Sequence, residues 1–112
     1  MLPTKNRISK KVFLEILKNS CVFDSSFLKM RVKKVSGAVK KFSFIAPKIV
    51  SKKAVDRNLL RKRGYVIIKN VLKETLGSFY VVFFFKKGSE KLSFKDLSLA
   101  IIALLKNGAI LK

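Results

Sequence analysis

The sequence predicts a single α+β domain that spans residues 1–112 and packs helices against a small central sheet. Its 112 residues suit one domain and leave no room for two. Apolar residues make up 49% of the chain and include 10 phenylalanines, so the chain can bury a core. Helical and strand-like periodicities alternate in the order helix, strand, strand, helix, strand, helix.

The N-terminal part begins with an arm and a short helix. Residues 1–7 show no periodic pattern and carry Lys5 and Arg7, which predicts a flexible basic arm. Ser9 is a typical N-cap for a helix that runs to about Asn19. The apolar residues of this helix fall at helical spacing and form one stripe, made of Val12, Phe13, Ile16 and Leu17.

Two strands and a turn follow the first helix. Phe27–Val35 alternates loosely between apolar and basic residues, and Val39–Ala46 alternates again. Ser36 and Gly37 between them are typical of a turn, so the two strands are expected to pair. Pro47 ends the second strand or places it at an edge of the sheet.

A second helix is predicted over Ala54–Leu76, with Gly77 at the position of a helix stop. Gly64 lies inside this range, where glycine is unfavourable by about 1 kcal/mol relative to alanine. The next residues, Phe79–Phe85, form a continuous run of valine and aromatic residues. Such a run predicts a strand in the middle of the sheet or one that is buried on both faces.

The last helix is predicted to run from the N-cap Ser93 to about Leu105. A turn at residues 86–88 separates it from the preceding strand. Asp96 stands at the third helical position, which is close to a capping-box arrangement. Asn107 and the glycine after it close the helix.

The charge balance of the chain is extreme. There are 26 Lys and Arg against six Asp and Glu, which gives a formal net charge of +20. Self-repulsion on this scale opposes the compact state, so a polyanionic partner is expected. Nucleic acid is the first candidate, an anionic membrane surface the second and an acidic protein the third.

The chain offers little for catalysis of its own. It has no histidine, and its six acids are scattered along the sequence. This disfavours an acid–base pair, a metal cage and a nucleophile activated by histidine. Phosphate-binding glycine loops, CxxC and HExxH do not occur in the sequence. The single cysteine, Cys21, excludes an internal disulfide and is expected to be a buried thiol.

The basic residues of the second helix are better organised. At 100° per residue, Lys53, Arg57 and Arg61 lie within about 80° of one another and form a ridge. Like charges at this spacing oppose helix formation. Bound phosphates would offset this repulsion, which favours a phosphate-binding ridge. The alternative interpretation is a basic face that is only solvated. Asn58 lies beside the ridge and could bond a phosphate, a ribose or a backbone group. The opposite side is expected to face the sheet and carries Val55, Leu59 and Val66.

Aromatic side chains are the second ingredient of single-stranded RNA binding, because each base that stacks on one contributes about 1–3 kcal/mol. The candidates are Phe13, Phe42, Phe44 and Tyr65. A place in the core is the competing interpretation for each of them. The number of phenylalanines in so small a domain favours some that line a groove.

The stretch Pro47–Asn58 closely resembles the signature of the bacterial ribonuclease P protein, which reads approximately SKKVGKAVxRN and is followed by RxKR. Arg61 and Lys62 match the basic pair of the second motif. With one extra residue allowed near Lys53, the residues in register are Lys48, Val50, Lys52, Ala54, Val55, Arg57 and Asn58.

Weaker similarities lie towards the two ends. Arg7 and Ile8, followed by Phe13, are similar to the opening of the family sequence. Residues 92–94 resemble its entry to the last helix. The resemblance therefore extends over nearly the whole chain.

The resemblance implies an αβββαβα domain with a left-handed crossover, akin to a ribosomal-protein-like fold. It implies a cleft between the first helix, the sheet and the second helix that holds the single-stranded 5′ leader of precursor tRNA. In this family the RNA subunit performs the hydrolysis with Mg²⁺, so no catalytic residue and no metal ligand is expected in this chain. The expected assembly is one monomeric protein with one catalytic RNA.

Together with the ridge and the aromatic candidates, the resemblance yields two sets of predicted binding residues. The set for the RNA subunit is Lys48, Lys52, Lys53, Arg57, Asn58, Arg61 and Lys62. The set for the leader is Phe13, Leu17, Met30, Phe44, Tyr65, Lys86 and Lys87.

The chain departs from the family pattern at four positions. Leu59 stands where the family has its second Arg, and Ser51 stands where it has Gly. Leu17 occupies the aromatic or apolar cleft position four residues after Phe13, and Met30 occupies a usual aromatic position on the second strand. These departures bear on the RNA contact at position 59 and on leader stacking, and they leave the ridge in place.

Two other classes of protein share the charge and the size. A ribosomal or assembly factor that binds RNA would not restore 5′ processing to a catalytic RNA. A cationic membrane-surface protein would need a basic helix with a wide apolar face, whereas the last helix is apolar but nearly uncharged. The opening residues lack the apolar segment of a signal peptide, and the longest apolar runs fall short of the roughly 20 residues of a membrane span. A soluble cytoplasmic protein without a membrane partner is expected.

Overall fold

Three helices pack against a four-stranded sheet in the computed structural model, which describes residues 8–112. The main elements are α1 (Lys10–Lys18), β1 (Cys21–Asp24), β2 (Leu28–Lys34), β3 (Lys40–Ile45), α2 (Ala54–Val71), β4 (Phe79–Phe85) and α3 (Phe94–Asn107). Short 3₁₀ turns occur at Leu72–Glu74 and Ser89–Lys91. The α+β class and the order αβββαβα are thereby confirmed. The predicted arm, residues 1–7, lies outside the described residues.

The strand order in the sheet is β1-β2-β4-β3. β4 pairs antiparallel with β2 and parallel with β3, so Phe83 lies beside both Met30 and Phe44. The predicted pairing of β2 with β3 is therefore wrong. β4 is apolar on both faces, and the central position buries it most completely. The parallel neighbours β3 and β4 are joined through α2 in a crossover, whose left hand stays a prediction.

The start of β4 fills the gap between β2 and β3. Val35, just after β2, donates its N–H to the carbonyl of Ser78 at 3.2 Å. Phe79 donates its N–H to the carbonyl of Val39, just before β3, at 2.8 Å. Gly37 turns the connecting segment with φ of 90°, a value that glycine adopts without strain. The turn predicted from the sequence is present, but it connects strands that are two positions apart.

β1 is the element that the periodicity did not reveal. It has four residues, and only Phe23 among them is even half-buried. It pairs antiparallel with β2 at the sheet edge. A strand this short and this exposed has too few inward positions to produce an alternating pattern. Cys21 lies in it and is exposed, so the expectation of a buried thiol is wrong.

The core lies between one face of the sheet and the helices α2 and α3. Alternate strand residues share a face of a sheet, and this face takes the even-numbered residues of β2 and β3 and the odd-numbered residues of β4. The buried strand residues are Leu28, Met30, Val32, Phe42, Phe44, Phe79, Val81, Phe83 and Phe85. The helices contribute Leu60, Ile67, Ile68, Leu97, Ile101, Leu104 and Leu105.

Phe44 is the centre of the aromatic packing. Its ring stacks on Phe83 with centroids 4.9 Å apart and planes within 9°, and Tyr65 meets it edge-on at 5.0 Å. A Cβ atom at Gly64 would lie only 2.6 Å from the Phe44 ring. Gly64 is therefore the point at which α2 approaches the sheet, and the helix continues through it without a break.

The side of α2 that faces the core consists of Leu60, Gly64, Ile67 and Ile68. The three residues expected to face the sheet, Val55, Leu59 and Val66, are exposed instead, and that prediction is wrong. The inward side of α2 includes Gly64, whose missing side chain leaves room for the Phe44 ring. A prediction based on apolar side chains alone does not place a glycine on that side.

The helix ends follow local chemistry. The hydroxyls of Ser9 and Ser93 accept hydrogen bonds from the N–H groups of Val12 and Asp96, which confirms both predicted N-caps. α2 ends at Val71, earlier than predicted, and a 3₁₀ turn takes the chain on towards Gly77. Within residues 8–112, no helix combines the length and the apolar character that crossing a membrane requires.

Replacement of Gly64 by Ala tests the close approach of α2 to the sheet. Alanine is the better helix former by about 1 kcal/mol, but its methyl group would overlap the Phe44 ring. We expect a net loss of about 1–3 kcal/mol in the free energy of unfolding, measured by urea titration. Asn70→Ala, at an exposed position of the same helix, is the matched control. A Gly64→Ala variant as stable as the parent would contradict this packing.

Candidate nucleic-acid interface

The second face of the sheet is basic and aromatic. Side chains of neighbouring strands form rungs across it, because paired residues point to the same side. One rung runs through Lys29, Phe84 and Ile45, and the next through Arg31, Val82 and Ser43. A third joins Lys33, Tyr80 and Lys41. This face, which points away from the core, thus carries a row of cations on β2 and the aromatic residues Phe84 and Tyr80 on β4.

α1 covers part of this second face and leaves the rest open. Ile16 of α1 and Val82 of the sheet are both fully buried, although neither belongs to the main core. Phe13, one turn before Ile16, lies against Phe84 with ring centroids 6.2 Å apart. Both rings are half-buried. The edge of α1 therefore presents an aromatic pair beside the open part of the sheet.

A groove lies between α1 and the sheet. It is lined by Leu17, Lys29, Arg31, Phe84 and Lys86 and encloses about 260 Å³. Two residues predicted to bind the leader, Leu17 and Lys86, meet there, and Phe13 contacts the ring that lines the groove. An aromatic floor with three cations beside it suits a nucleotide, since a base can stack while its phosphate pairs with a cation.

Lys86 is held at one end of this groove. Its ammonium forms an ion pair with Asp24 and donates to the carbonyl of Ser25 at 2.7 Å. The hydrogen bond from Lys86 holds the pKa of Asp24 below its ordinary value, against the opposing effect of partial desolvation. The contact joins the end of β4 to the end of β1.

Glu15 and Lys33 connect α1 to β2. Their charged atoms are 2.9 Å apart. The hydrogen bond from Lys33, followed by its charge, lowers the pKa of Glu15. One of the few acids of the chain thus fixes the helix that borders the groove.

The second basic region lies on α2 and just before it. Lys48, Lys52, Lys53, Asn58 and Lys62 are exposed, and Arg57 and Arg61 are half-buried. Arg61 donates to the side-chain oxygen of Asn58. A shallow cavity of about 190 Å³ is lined by Asn58, Arg61, Lys62 and Tyr65. The residues predicted for the RNA subunit therefore share one stretch of surface.

Three of the predicted leader contacts take other places. Met30 and Phe44 are buried in the core and offer no open face to a base, so their predicted contacts are corrected to core roles. Phe42, a further stacking candidate, is also buried. Tyr65 lies with the basic residues of α2 and contacts Phe44. Lys87 is exposed in the turn after β4.

The sequence interpretation missed Lys29, Arg31, Tyr80 and Phe84. The signal was present in residues 28–33, where apolar and basic residues alternate at each step. Met30 points to the core, whereas its neighbours Lys29 and Arg31 line the groove. Successive residues of a strand point to opposite faces, so an error of one residue reverses the predicted face. In β4 every residue is apolar or aromatic, so the sequence of that strand alone gives no phase.

The described residues form no group of three or more His, Cys, Asp and Glu side chains that could hold a metal ion. The six acids lie apart: Glu15 in α1, Asp24 at the end of β1, Asp56 and Asp96 in the first turns of α2 and α3, and Glu74 and Glu90 in the 3₁₀ turns.

Solved structures of two bacterial proteins share this fold. The ribonuclease P protein of Staphylococcus aureus superposes with a TM-score of 0.86 at 13% identity, over 96% of this chain and 98% of that one. The ribonuclease P protein of Thermotoga maritima superposes with a TM-score of 0.82 at 18% identity, over 90% of this chain and 96% of that one. At these identities the likeness concerns the fold alone. No curated protein sequence matches the chain significantly.

The fold and the surface together define a small, strongly basic αβββαβα domain with a cationic, aromatic sheet face. The family model described as Ribonuclease P matches residues 2–108, and the chain therefore belongs to the Ribonuclease P family.

The two lowered carboxyl pKa values give a direct test of the contacts around the groove. Lys33→Gln should raise the pKa of Glu15 towards its ordinary value of 4.5, because the main cause of the lowering is removed. Asp24 should keep its low pKa in this variant, since its partner Lys86 is untouched. Carboxyl carbon NMR titration measures both values.

The two ion pairs make the stability of the fold depend on pH in a definite direction. Because each folded-state pKa is depressed, each pair stabilises the fold above the ordinary pKa, and that contribution is lost as pH falls through the folded value. A Glu15 titration that is unchanged by Lys33→Gln would contradict the described pair.

Proposed function

We propose that the chain is the protein subunit of a bacterial-type ribonuclease P. In this role it binds the catalytic RNA subunit and the single-stranded 5′ leader of precursor tRNA. It thereby assists the endonucleolytic removal of the leader that produces the mature 5′ end. Family membership supports the ribonuclease P assembly and tRNA processing as the setting.

The observation that carries the proposal is the groove between α1 and the sheet. Phe84, supported by Phe13, offers a stacking surface, and Lys29, Arg31 and Lys86 line the same groove. A duplex presents its bases edge-on inside a stack, whereas a single strand can turn a base onto a ring. The groove therefore favours a single strand such as a leader.

The second surface, at the start of α2, is proposed for the RNA subunit. Its lysines are exposed around the start of α2, Arg57 and Arg61 are half-buried, and Tyr65 is the aromatic residue that lines the cavity beside them. This pattern suits the phosphates of a structured RNA, which are recognised by charge and shape. Two separate surfaces allow one small protein to hold substrate and RNA subunit together.

The chemistry is assigned to the RNA. The Mg²⁺ of the holoenzyme is proposed to be bound mainly by the RNA, as the family resemblance implies, and this chain is proposed to supply no catalytic residue. The proposal includes a monomeric protein in a 1:1 assembly in the cytoplasm. The contribution of the protein is binding and orientation, which raises the local concentration of correctly placed substrate.

Reconstitution tests the proposal against its alternative, a ribosomal or assembly factor that binds RNA without enzymatic consequence. The cognate catalytic RNA is assayed with precursor tRNA at low Mg²⁺, with and without the protein. We expect the protein to restore cleavage at the mature 5′ end. A basic ribosomal protein of similar size is the control for charge alone. Binding without restored cleavage would favour the alternative.

Phe13→Ala tests the assignment of the groove to the leader. We expect weaker binding of precursor tRNA to the reconstituted enzyme, by about 1–3 kcal/mol if a base stacks there, and unchanged binding of mature tRNA. Leu14→Ala, on the exposed side of the same helix, is the matched control and should alter neither. A thermal melt accompanies both variants. If Phe13→Ala strongly lowers the melting temperature and weakens the binding of precursor and mature tRNA equally, Phe13 is structural and the assignment of the groove to the leader is wrong.

A further inference from the structure

The segment between β3 and α2 carries three exposed lysines, Lys48, Lys52 and Lys53. Its middle is fixed to the fold, because Val50 is 4% exposed and donates its N–H to the carbonyl of Pro47 at 3.0 Å. The lysines stand on either side of this buried anchor. Their arrangement therefore depends on what holds the few residues between Val50 and the helix.

Ser51 is the residue that holds them. Its hydroxyl donates to the carboxylate of Asp56 at 3.0 Å and accepts the N–H of Lys53 at 3.2 Å. Its carbonyl accepts a hydrogen bond from the guanidinium of Arg57 at 2.8 Å. One serine thus bonds to three residues, of which two belong to the proposed surface for the RNA subunit.

This arrangement replaces a conventional helix cap. The N-cap of α2 is Lys53, which makes no side-chain capping bond. In a capping box, the side chain at the third helical position bonds directly to the N-cap N–H. Here the Ser51 hydroxyl stands between the two and relays the bond from the Lys53 N–H to Asp56. Asp56, the one acidic residue of α2, therefore has a structural role.

Ser51 also holds Arg57, but it uses only part of the hydrogen-bonding capacity of the guanidinium. A guanidinium has five N–H donors, and the structure shows one of its nitrogens bonded to the Ser51 carbonyl. Donors remain for a phosphate, and their direction is set by the bond to Ser51. A pre-oriented cation loses less side-chain entropy when it binds.

We infer that Ser51, with Asp56 as its acceptor, is a positioning residue that holds the backbone of Lys53 and the guanidinium of Arg57 in one arrangement for RNA phosphates. The inference rests on the proposed function, and it adds the device by which that surface is organised. It also gives a role to a position where the chain departs from the glycine of the family pattern.

Ser51→Ala and Ser51→Thr test the role of the hydroxyl. The probe is the cognate catalytic RNA, whose affinity is measured over a range of salt concentrations. Ser51→Ala should weaken binding roughly three- to tenfold, the equivalent of one or two net hydrogen bonds, and Ser51→Thr should restore it. The slope of log affinity against log salt should become shallower by about one, since each phosphate contact contributes nearly that much. Binding of a leader oligonucleotide should not change.

Asp56→Ala and Asp56→Asn separate positioning from charge. Both variants remove the same negative charge, which by itself would tighten RNA binding. Asn keeps an oxygen that can accept from the Ser51 hydroxyl, whereas Ala does not. Asp56→Asn should therefore bind the catalytic RNA several-fold more tightly than Asp56→Ala. Glu74→Ala, an exposed acid beyond the end of α2, controls for charge removal alone.

The outcomes distinguish this inference from the proposed function. If the parent binds the catalytic RNA but Ser51→Ala binds it equally well with the same salt slope, the positioning role is wrong and the proposed function stands. Equal affinities of the two Asp56 variants for the catalytic RNA would also overturn the positioning role of Ser51. A parent protein that shows no preference for the catalytic RNA over an unrelated structured RNA would overturn both.

Discussion

The alternation of side chains across the central strand is the constraint on which the rest of the structure depends. β4 lies between β2 and β3, so each of its residues determines which neighbours share its face. Phe83 points to the core, where it stacks on Phe44, and Phe84 points to the second face beside Lys29. A slip of one residue in the pairing of β2 with β4 would bury Lys29, Arg31 and Lys33 and expose the apolar residues between them. The same register therefore stabilises the fold and creates the basic, aromatic face.

The position of α2 follows from the same aromatic packing. The missing side chain at Gly64 lets the helix rest directly on Phe44. The helix start, with its lysines and arginines, is then held close to the end of β3, and Ser51 orders the short connection. The strong net charge has little internal compensation, and acids such as Glu15 and Asp24 are used where they fix one element to another. Exposed cations such as Lys48, Lys52 and Lys53 are accessible to a polyanion.

Much of the fold could be predicted from the sequence because its signals are local. Helix caps such as Ser93 and the continuous apolar run of β4 depend on residues close together in the chain. The errors concern choices between faces, which depend on distant partners. The predicted face of Met30 is wrong because the sequence of β2 does not show which of its two alternating sets of residues meets the core. The packing role of Gly64 could not be predicted because the Phe44 ring that fills its space is 20 residues away in the sequence. The basic cluster of α2 could be predicted as a group, but its link to Ser51 required three dimensions.

Site-specific cross-linking tests most directly whether the leader lies on the open face of the sheet. A photoreactive benzophenone amino acid is placed at Lys29, on that face, or at Leu99, which is 58% exposed on α3. Each protein is assembled with the catalytic RNA and a precursor tRNA labelled in its leader. The account predicts cross-links to leader nucleotides from position 29 and none from position 99. Leader cross-links that arise from position 99 and not from position 29 would contradict it.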